Sequence, residues 1–460
     1  MSSILIENPL QVCRMRTDYG NGDNLLDSFQ GGHIYISNGQ IITAGPEKSN
    51  FTADIVIDGS RMLVLPGLIN THHHFFQSLT RNVQSTTKAE LFDWLLTNYE
   101  IWKGLTEEAF FISAKLSMAE LLKSGCTCSS DHLYLFPNQA GNRLIDAEIS
   151  AALELGMRFQ PTRGSMSLSK KDGGLPPDTV TQTESQILED ELRLVEQYHD
   201  PKAGAMTRIS LAPCSPFSVT PELMVETSRL SREKGLQIHT HLAETLDEEK
   251  FCLEKFAQRP FDYMEKLEWI TDNAWFAHAI HLSDDEIIRG AKAGIGVSHC
   301  PSSNMRLGSG IAKIKEMLEA GIKVSIGVDG SASNDSGNLL LELRNAMLLS
   351  RLRPAKYWLD APDVLWMATV GGAKALGRDD IGQILPGKSA DLVLISMDRL
   401  EYSGASHDPA SAVVFSVASQ PVDISIINGK LVVENGNIIG LNEKELISKH
   451  SNISHKLLKI

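Results

Sequence analysis

The amino-acid sequence predicts an α/β protein: a (β/α)8 TIM barrel carrying a small β-sandwich formed by the N- and C-terminal segments. Three observations predict it. The middle of the chain alternates strand-like apolar runs with helical stretches, which favours a parallel sheet covered by helices. Eight such runs occur, the number that closes a barrel. The two ends share a different texture, β-branched runs closed by Asn-Gly or Asp-Gly, the chemistry of tight hairpins.

Residues 1–60 read as the N-terminal part of the sandwich, with hairpin signals at 31–39 and 54–59. Residues 61–380 read as the barrel. Its opening strand is placed in the run 63–77, Leu-Val-Leu-Pro-Gly-Leu-Ile-Asn-Thr-His-His-His-Phe-Phe-Gln. The other seven strands are placed at 125–131, 157–164, 208–213, 236–241, 274–278, 294–299 and 323–329, with helices such as 107–124 and 221–234 between them. The connection 79–106, with Trp94, Tyr99 and Trp102, is long for a strand-to-helix loop and is expected to cover the barrel mouth. The hairpin texture returns in 381–440, the C-terminal part of the sandwich, at 390–395, 423–429 and 430–436. Residues 441–460, with Lys444, Lys449, Lys456 and Lys459, are expected as a solvated terminal helix or a frayed end.

A chain of 460 residues suits a large barrel with an accessory lobe. The net charge of −14 argues against nucleic acid and anionic membrane surfaces, both of which need a basic footprint. The expected partner is a small neutral molecule. Six cysteines without a Cys-x-x-Cys pair fit a reducing cytoplasm better than a disulfide framework. Ile4-Leu-Ile before Glu7 lacks the apolar core of a signal peptide, and no run of about 18 apolar residues predicts a membrane span. Barrels with an added sandwich frequently associate, so a homo-oligomer is expected.

The polar residues that end the predicted strands define the chemistry. His72 and His74 project from one face of an extended strand and His73 from the other, so the first two can grip one cation, and imidazole suits zinc. In the run 236–244, His241 ends a strand and Glu244 follows in the loop, offering a third nitrogen ligand and a carboxylate able to move protons. His239, one layer deeper, reads as a packed core histidine. His278 ends the sixth strand, and Asp329 closes the eighth as ligand or water-orienter. Three imidazoles and a carboxylate leave a place for water on one zinc per subunit, whose pKa zinc lowers to about 7; iron or manganese would also suit nitrogen and oxygen donors. The His-x-Glu and Pro-Cys-x-x-Cys pattern of cytidine-type deaminases is absent, as is a nucleophile elbow. The fourth strand has no lysine to bridge two metals.

Pro66-Gly67 before His-x-His, the His-x-x-Glu at 241–244, His278 and Asp329 resemble, in order, the mononuclear aminohydrolases of the amidohydrolase superfamily. That resemblance implies a metal held by His72, His74, His241 and Asp329, with Glu244 and His278 handling protons. The segments 72–81, 162–167, 171–177, 212–218 and 299–306 are similar to those of bacterial 8-oxoguanine deaminases. The implied reaction is hydrolytic removal of the 2-amino group of 8-oxoguanine to give urate and ammonia. Deaminases or N-alkylaminohydrolases of isocytosine, guanine, pterins or hydroxytriazines are the alternative.

Four residues are candidates for substrate contact. Gln77 matches the His-x-x-Gln with which guanine deaminases hold the purine amide. Cys214 stands where those enzymes carry an arginine, and a neutral residue there leaves space for an 8-oxo substituent. Arg163 can fork onto a ring carbonyl or form an ion pair at the rim. Trp94 can stack on a flat ring or pack on its own helix.

Overall fold

The computed structural model describes residues 2–20, 24–48, 50–417 and 419–459; Met1 and Ile460, the outer limits of the first and last expected segments, lie outside them. Eight strands run parallel in sequence order: β1 (Leu68–Asn70), β2 (Cys126–Leu133), β3 (Arg158–Ser165), β4 (Ser210–Pro213), β5 (Ile238–Leu242), β6 (Ala274–His278), β7 (Gly296–His299) and β8 (Lys323–Ile326). The ring closes where the Thr71 backbone N–H donates to the Ile326 carbonyl at 3.0 Å. Helices cover the outside, and their ends are written locally. In Pro221–Lys234, Thr220 caps the first turn, proline occupies it, and Gly235 ends it in the left-handed region at φ 66°.

Two further sheets form the sandwich. One has four strands, Gln40–Gly45, His33–Ser37, Ile4–Glu7 and Ile55–Asp58 in spatial order. The other has seven and mixes the two ends of the chain, with Leu392–Ser396 antiparallel to Met62–Pro66 and Gln11–Cys13 parallel to it. Ile4, Ile6, Ile34, Val64, Leu392 and Leu394 fill the space between the sheets.

Two expectations need correction. The run 63–66 was assigned to the barrel, yet it pairs with 392–396 and belongs to the sandwich; the barrel begins after Gly67. Gly67 makes the handover possible, because a Cβ there would lie 2.0 Å from Thr127 Oγ1. Both strands are buried on both faces, so their sequences look alike and only their partners differ. Of the two readings of the tail, the structure shows the terminal helix, with only Leu446 and His450 buried along it. Glu443–Leu458 is a helix packed on Glu107–Lys123 and on the 3-10 turn Phe75–Thr80. His450 Nε2 meets Ser78 Oγ at 3.0 Å, and Ser454 Oγ donates to the Leu79 carbonyl at 2.7 Å. Its lysines lie exposed on the outer side, as their composition predicts. The other correction concerns Arg163 and follows with the site.

Candidate active site

His72 and His74 follow β1, His241 lies in β5, His278 ends β6 and Asp329 lies three residues beyond β8, so all five converge at the C-terminal mouth of the barrel. His72 Nε2 and His74 Nε2 each stand 3.3 Å from Asp329 Oδ1, and His74 Nε2 stands 3.2 Å from His241 Nε2. A tetrahedron of metal bonds about 2.0–2.1 Å long has edges of about 3.3–3.4 Å, so these three separations fit donors arranged around one cation.

The hydrogen bonds behind the rings suit these groups to a cation. His74 Nδ1–H donates to the His132 carbonyl at 2.7 Å, and His241 Nδ1–H to the Cys214 carbonyl at 2.7 Å. His239 Nδ1–H donates to the Trp275 carbonyl at 2.7 Å, which leaves His239 Nε2 as acceptor for His72 Nδ1–H at 2.8 Å. Each ligand ring is thereby fixed in the tautomer whose Nε2 carries a lone pair. His72 Nε2 is buried without a partner, and two lone pairs face each other between His74 and His241. A divalent cation at the centre resolves this arrangement. Burial, with neighbouring imidazoles adding to it, pushes His72, His74 and His241 below the ordinary histidine range, into the neutral form that binds metal. Burial opposes the Asp329 charge, but the surrounding imidazoles, His72 first, outweigh it and hold the carboxyl well below its usual range. His132 also lies within reach of His72 and His241. Its Nε2–H donates to the Ala212 carbonyl at 2.8 Å, its Nδ1 is buried without a partner, and its ring stacks on that of His241.

Beside this set, His278 Nε2 lies 3.5 Å from Glu244 Oε2 and 3.9 Å from Asp329 Oδ2. His278 Nδ1 donates to Asn304 Oδ1 at 2.9 Å. Burial works against a charge on His278, but Glu244 and Asp329 outweigh it and raise its pKa. Burial raises Glu244 to about 7, with His278 opposing and Asp329 adding. Such a carboxyl is populated in both protonation states near neutral pH, as a proton carrier requires. Four backbones here are left-handed without glycine: Ala243 at φ 52°, His278 at 70°, Ala279 at 50° and Asp329 at 60°. Each costs of order 1–2 kcal/mol. Glu248 accepts from the Ala243 and Glu244 N–H groups at 2.9 Å and so holds the backbone there.

A cavity opens onto these groups, and its other walls include Leu91, Leu95, Tyr99, Tyr134, Phe217 and Leu307. Gln77, Trp94 and Cys214 line it, as does the helix Leu91–Trp102 that fills much of the predicted cover. The Cys214 thiol is pushed up to about 12 by burial and is neutral. Arg163 does not line the cavity. Its guanidinium is buried, donates to Asp190 Oδ2 and Gln182 Oε1 at 2.8 Å each and to the Gly164 carbonyl, and lies over the Phe136 ring. Alternation along β3 puts it on the outer face, and the substrate-fork expectation is corrected to a buried ion pair. Sequence reasoning missed Glu248 and Tyr134, which carry no motif, and did not single out Asn304 within the segment 299–306. It read His239 as core, without its role in orienting His72.

A family model described as the amidohydrolase family matches residues 63–432. The 8-oxoguanine deaminase of Pseudomonas aeruginosa is 45% identical over 453 residues, 98% of this chain and 98% of that protein. The hydroxydechloroatrazine ethylaminohydrolase of Pseudomonas sp. (strain ADP) is 38% identical over 92% of this chain and 91% of its own. The crystal structure of the atrazine chlorohydrolase of Arthrobacter aurescens complexed with zinc superposes with a TM-score of 0.92 at 32% identity, covering 98% of this chain and 100% of that one. A cluster of side chains able to hold a metal at the mouth of an eight-stranded barrel and these relationships along nearly the whole chain lead to one conclusion: the protein belongs to the amidohydrolase family and is a hydrolase of carbon–nitrogen bonds.

Proposed function

We propose that the protein is a zinc-dependent deaminase of free 8-oxoguanine, releasing urate and ammonia. The observation that supports it most is the pairing of a four-donor cation site and the Glu244–His278 couple with a cavity whose remaining wall is largely apolar. Leu91, Leu95, Phe217 and Leu307 offer nothing to ribose hydroxyls, which favours a free ring over a nucleoside. The choice of ring follows the relative that is 45% identical. Cys214 supports it as well, since a small neutral side chain leaves room beside the ring.

His72, His74, His241 and Asp329 would hold the metal. When bound, zinc supplies the Lewis acidity that brings a water's pKa to about 7. The protein's own groups then manage the protons. Glu244 takes one from the attacking water and delivers it to the ring nitrogen beside the amino-bearing carbon. Asp329, with its negative charge held by His278, accepts the second, which passes to the departing amine. The water oxygen ends bonded to carbon, the C–N bond breaks with its electron pair on nitrogen, and ammonia leaves. Gln77 Oε1 is buried without a partner in the fold and would accept a ring N–H.

All six cysteines are free and buried, which supports a reducing, cytoplasmic setting. A homo-oligomer without nucleic-acid or membrane partners is part of the same proposal, and no helix among the described residues is long and apolar enough to cross a membrane. The runner-up is an aminohydrolase of a pterin or hydroxytriazine ring, which the 38% identical relative favours. Steady-state kinetics of the zinc-loaded protein on 8-oxoguanine, guanine, isocytosine, isoxanthopterin and hydroxytriazines is the test. The highest kcat/KM is expected on 8-oxoguanine, and a higher value on a triazine would overturn the choice.

A further inference from the structure

The chain has six tryptophans, and five of them donate their indole N–H to a protein oxygen. Trp102 donates to Thr80 Oγ1 at 3.0 Å, Trp269 to the Met224 carbonyl at 2.8 Å and Trp275 to the Thr71 carbonyl at 3.1 Å. Trp358 donates to the Arg353 carbonyl at 2.8 Å and Trp366 to the Arg16 carbonyl at 3.0 Å. Trp94 breaks the pattern. Its side chain is 3% exposed, it lines the cavity above the cation site, and its Nε1–H has no partner in the fold. A buried donor left unpaired is costly, and native proteins keep few of them. Its neighbour Trp102 packs edge to face against it, 5.4 Å between centroids, with its own N–H satisfied. Packing of the aromatic cluster therefore does not by itself require an open donor at this position.

We infer that Trp94 reads the substrate through its N–H rather than through its ring face: the indole donates a hydrogen bond to a carbonyl oxygen of the bound heterocycle. This rests on the proposed reading of the site as one for an oxo-substituted ring. Together with Gln77 Oε1, it gives the cavity one free donor and one free acceptor, the complement of a ring C=O and N–H. Trp94 sits on the covering helix Leu91–Trp102, so the bond ties that helix to substrates that bear a carbonyl. A ring of the same shape without the carbonyl leaves the donor unpaired, and the site discriminates against it.

The test uses the full-length, zinc-loaded protein and Trp94→Phe, which keeps an aromatic side chain and deletes the donor. In ¹⁵N-tryptophan-labelled protein the indole signal missing from the variant is that of Trp94. Adding urate, the product of the proposed reaction, should move this signal downfield and slow its exchange with solvent. Trp94→Phe should lose about 3- to 10-fold in kcat/KM on 8-oxoguanine, the worth of one neutral hydrogen bond, with metal content unchanged. Urate that binds by calorimetry while the Trp94 signal stays in place overturns the inference. If urate does not bind, the substrate reading fails, and the shift is read instead with isoxanthopterin or a hydroxytriazine. A ring that binds without moving the Trp94 signal overturns the inference, and a protein that binds none of them overturns both.

Discussion

Gly330, next to Asp329, controls where Gln77 can reach, and Gly330→Ala measures how much that matters. A Cβ at Gly330 would lie 1.9 Å from Gln77 Oε1, 2.3 Å from Cδ and 2.9 Å from Nε2, where ordinary contact begins at 3.4 Å. The amide must therefore retreat by about 1.5 Å, which carries it beyond the reach of any hydrogen bond it makes to a ring. Gly330 is not in the left-handed region, so alanine adds no backbone strain, and the displaced atoms end a flexible side chain. The fold and the metal content should survive. A substrate N–H left unpaired in a buried site costs about 1–3 kcal/mol, so kcat/KM should fall by about 5- to 150-fold, chiefly through KM. Gln77→Ala should cost a similar amount, and the double variant should cost little more than either alone. Equal losses from Gly330→Ala in the wild-type and Gln77→Ala backgrounds would refute the coupling.

Glu244→Gln should keep the metal and lose about 10²- to 10⁴-fold in kcat, the usual worth of general acid–base help, and normal turnover would remove Glu244 from the proton path. His241→Ala should lose the metal itself, measured as zinc per subunit; full occupancy would exclude it as a ligand. Chelation should lower Tm and added zinc restore it, because His74 and His241 Nε2 face each other at 3.2 Å without compensation once the cation leaves; an unchanged Tm would contradict that. Asp131 and Glu148 are fully buried and interact, and burial drives both carboxyls well above the usual range. Their raised folded-state pKa values give stability that is present below the ordinary carboxylate pKa and lost as pH rises. Glu148→Gln keeps a donor toward Asp131 and removes one ionisation, so its Tm should fall less than that of the wild type between pH 5 and pH 8. Superimposed profiles would show that the pair does not govern the slope.

The barrel and the candidate cation site were legible in the sequence because both are written in local spacing. Apolar runs of strand length mark eight places, and His72, His74, His241, His278 and Asp329 stand where those runs end. Parallel strands in one ring bring their C-terminal ends to one mouth whatever the intervening helices do. What resisted reading is what depends on partners distant in the chain. The run 63–66 could not be assigned to the sandwich, because its identity lies in its pairing with 392–396. Arg163 kept two readings until Asp190 and Gln182 appeared beside its guanidinium. The lysines marked a solvated terminal helix, but not that His450 and Ser454 dock it on the turn that carries Gln77.

The sequence by itself determined which residues can hold a cation and that they share one end of the barrel, since strand order and side-chain alternation are local properties of the chain. Only the tertiary structure decided the protonation of each ring, through Trp275, His132 and Cys214 carbonyls drawn from three other places in the chain. It alone also showed that Gly330 makes room for Gln77 and that Trp94 keeps an unspent donor. Whether a polar atom is satisfied is a sum over every neighbour within about 3.5 Å, and in a barrel most of those neighbours come from elsewhere in the chain.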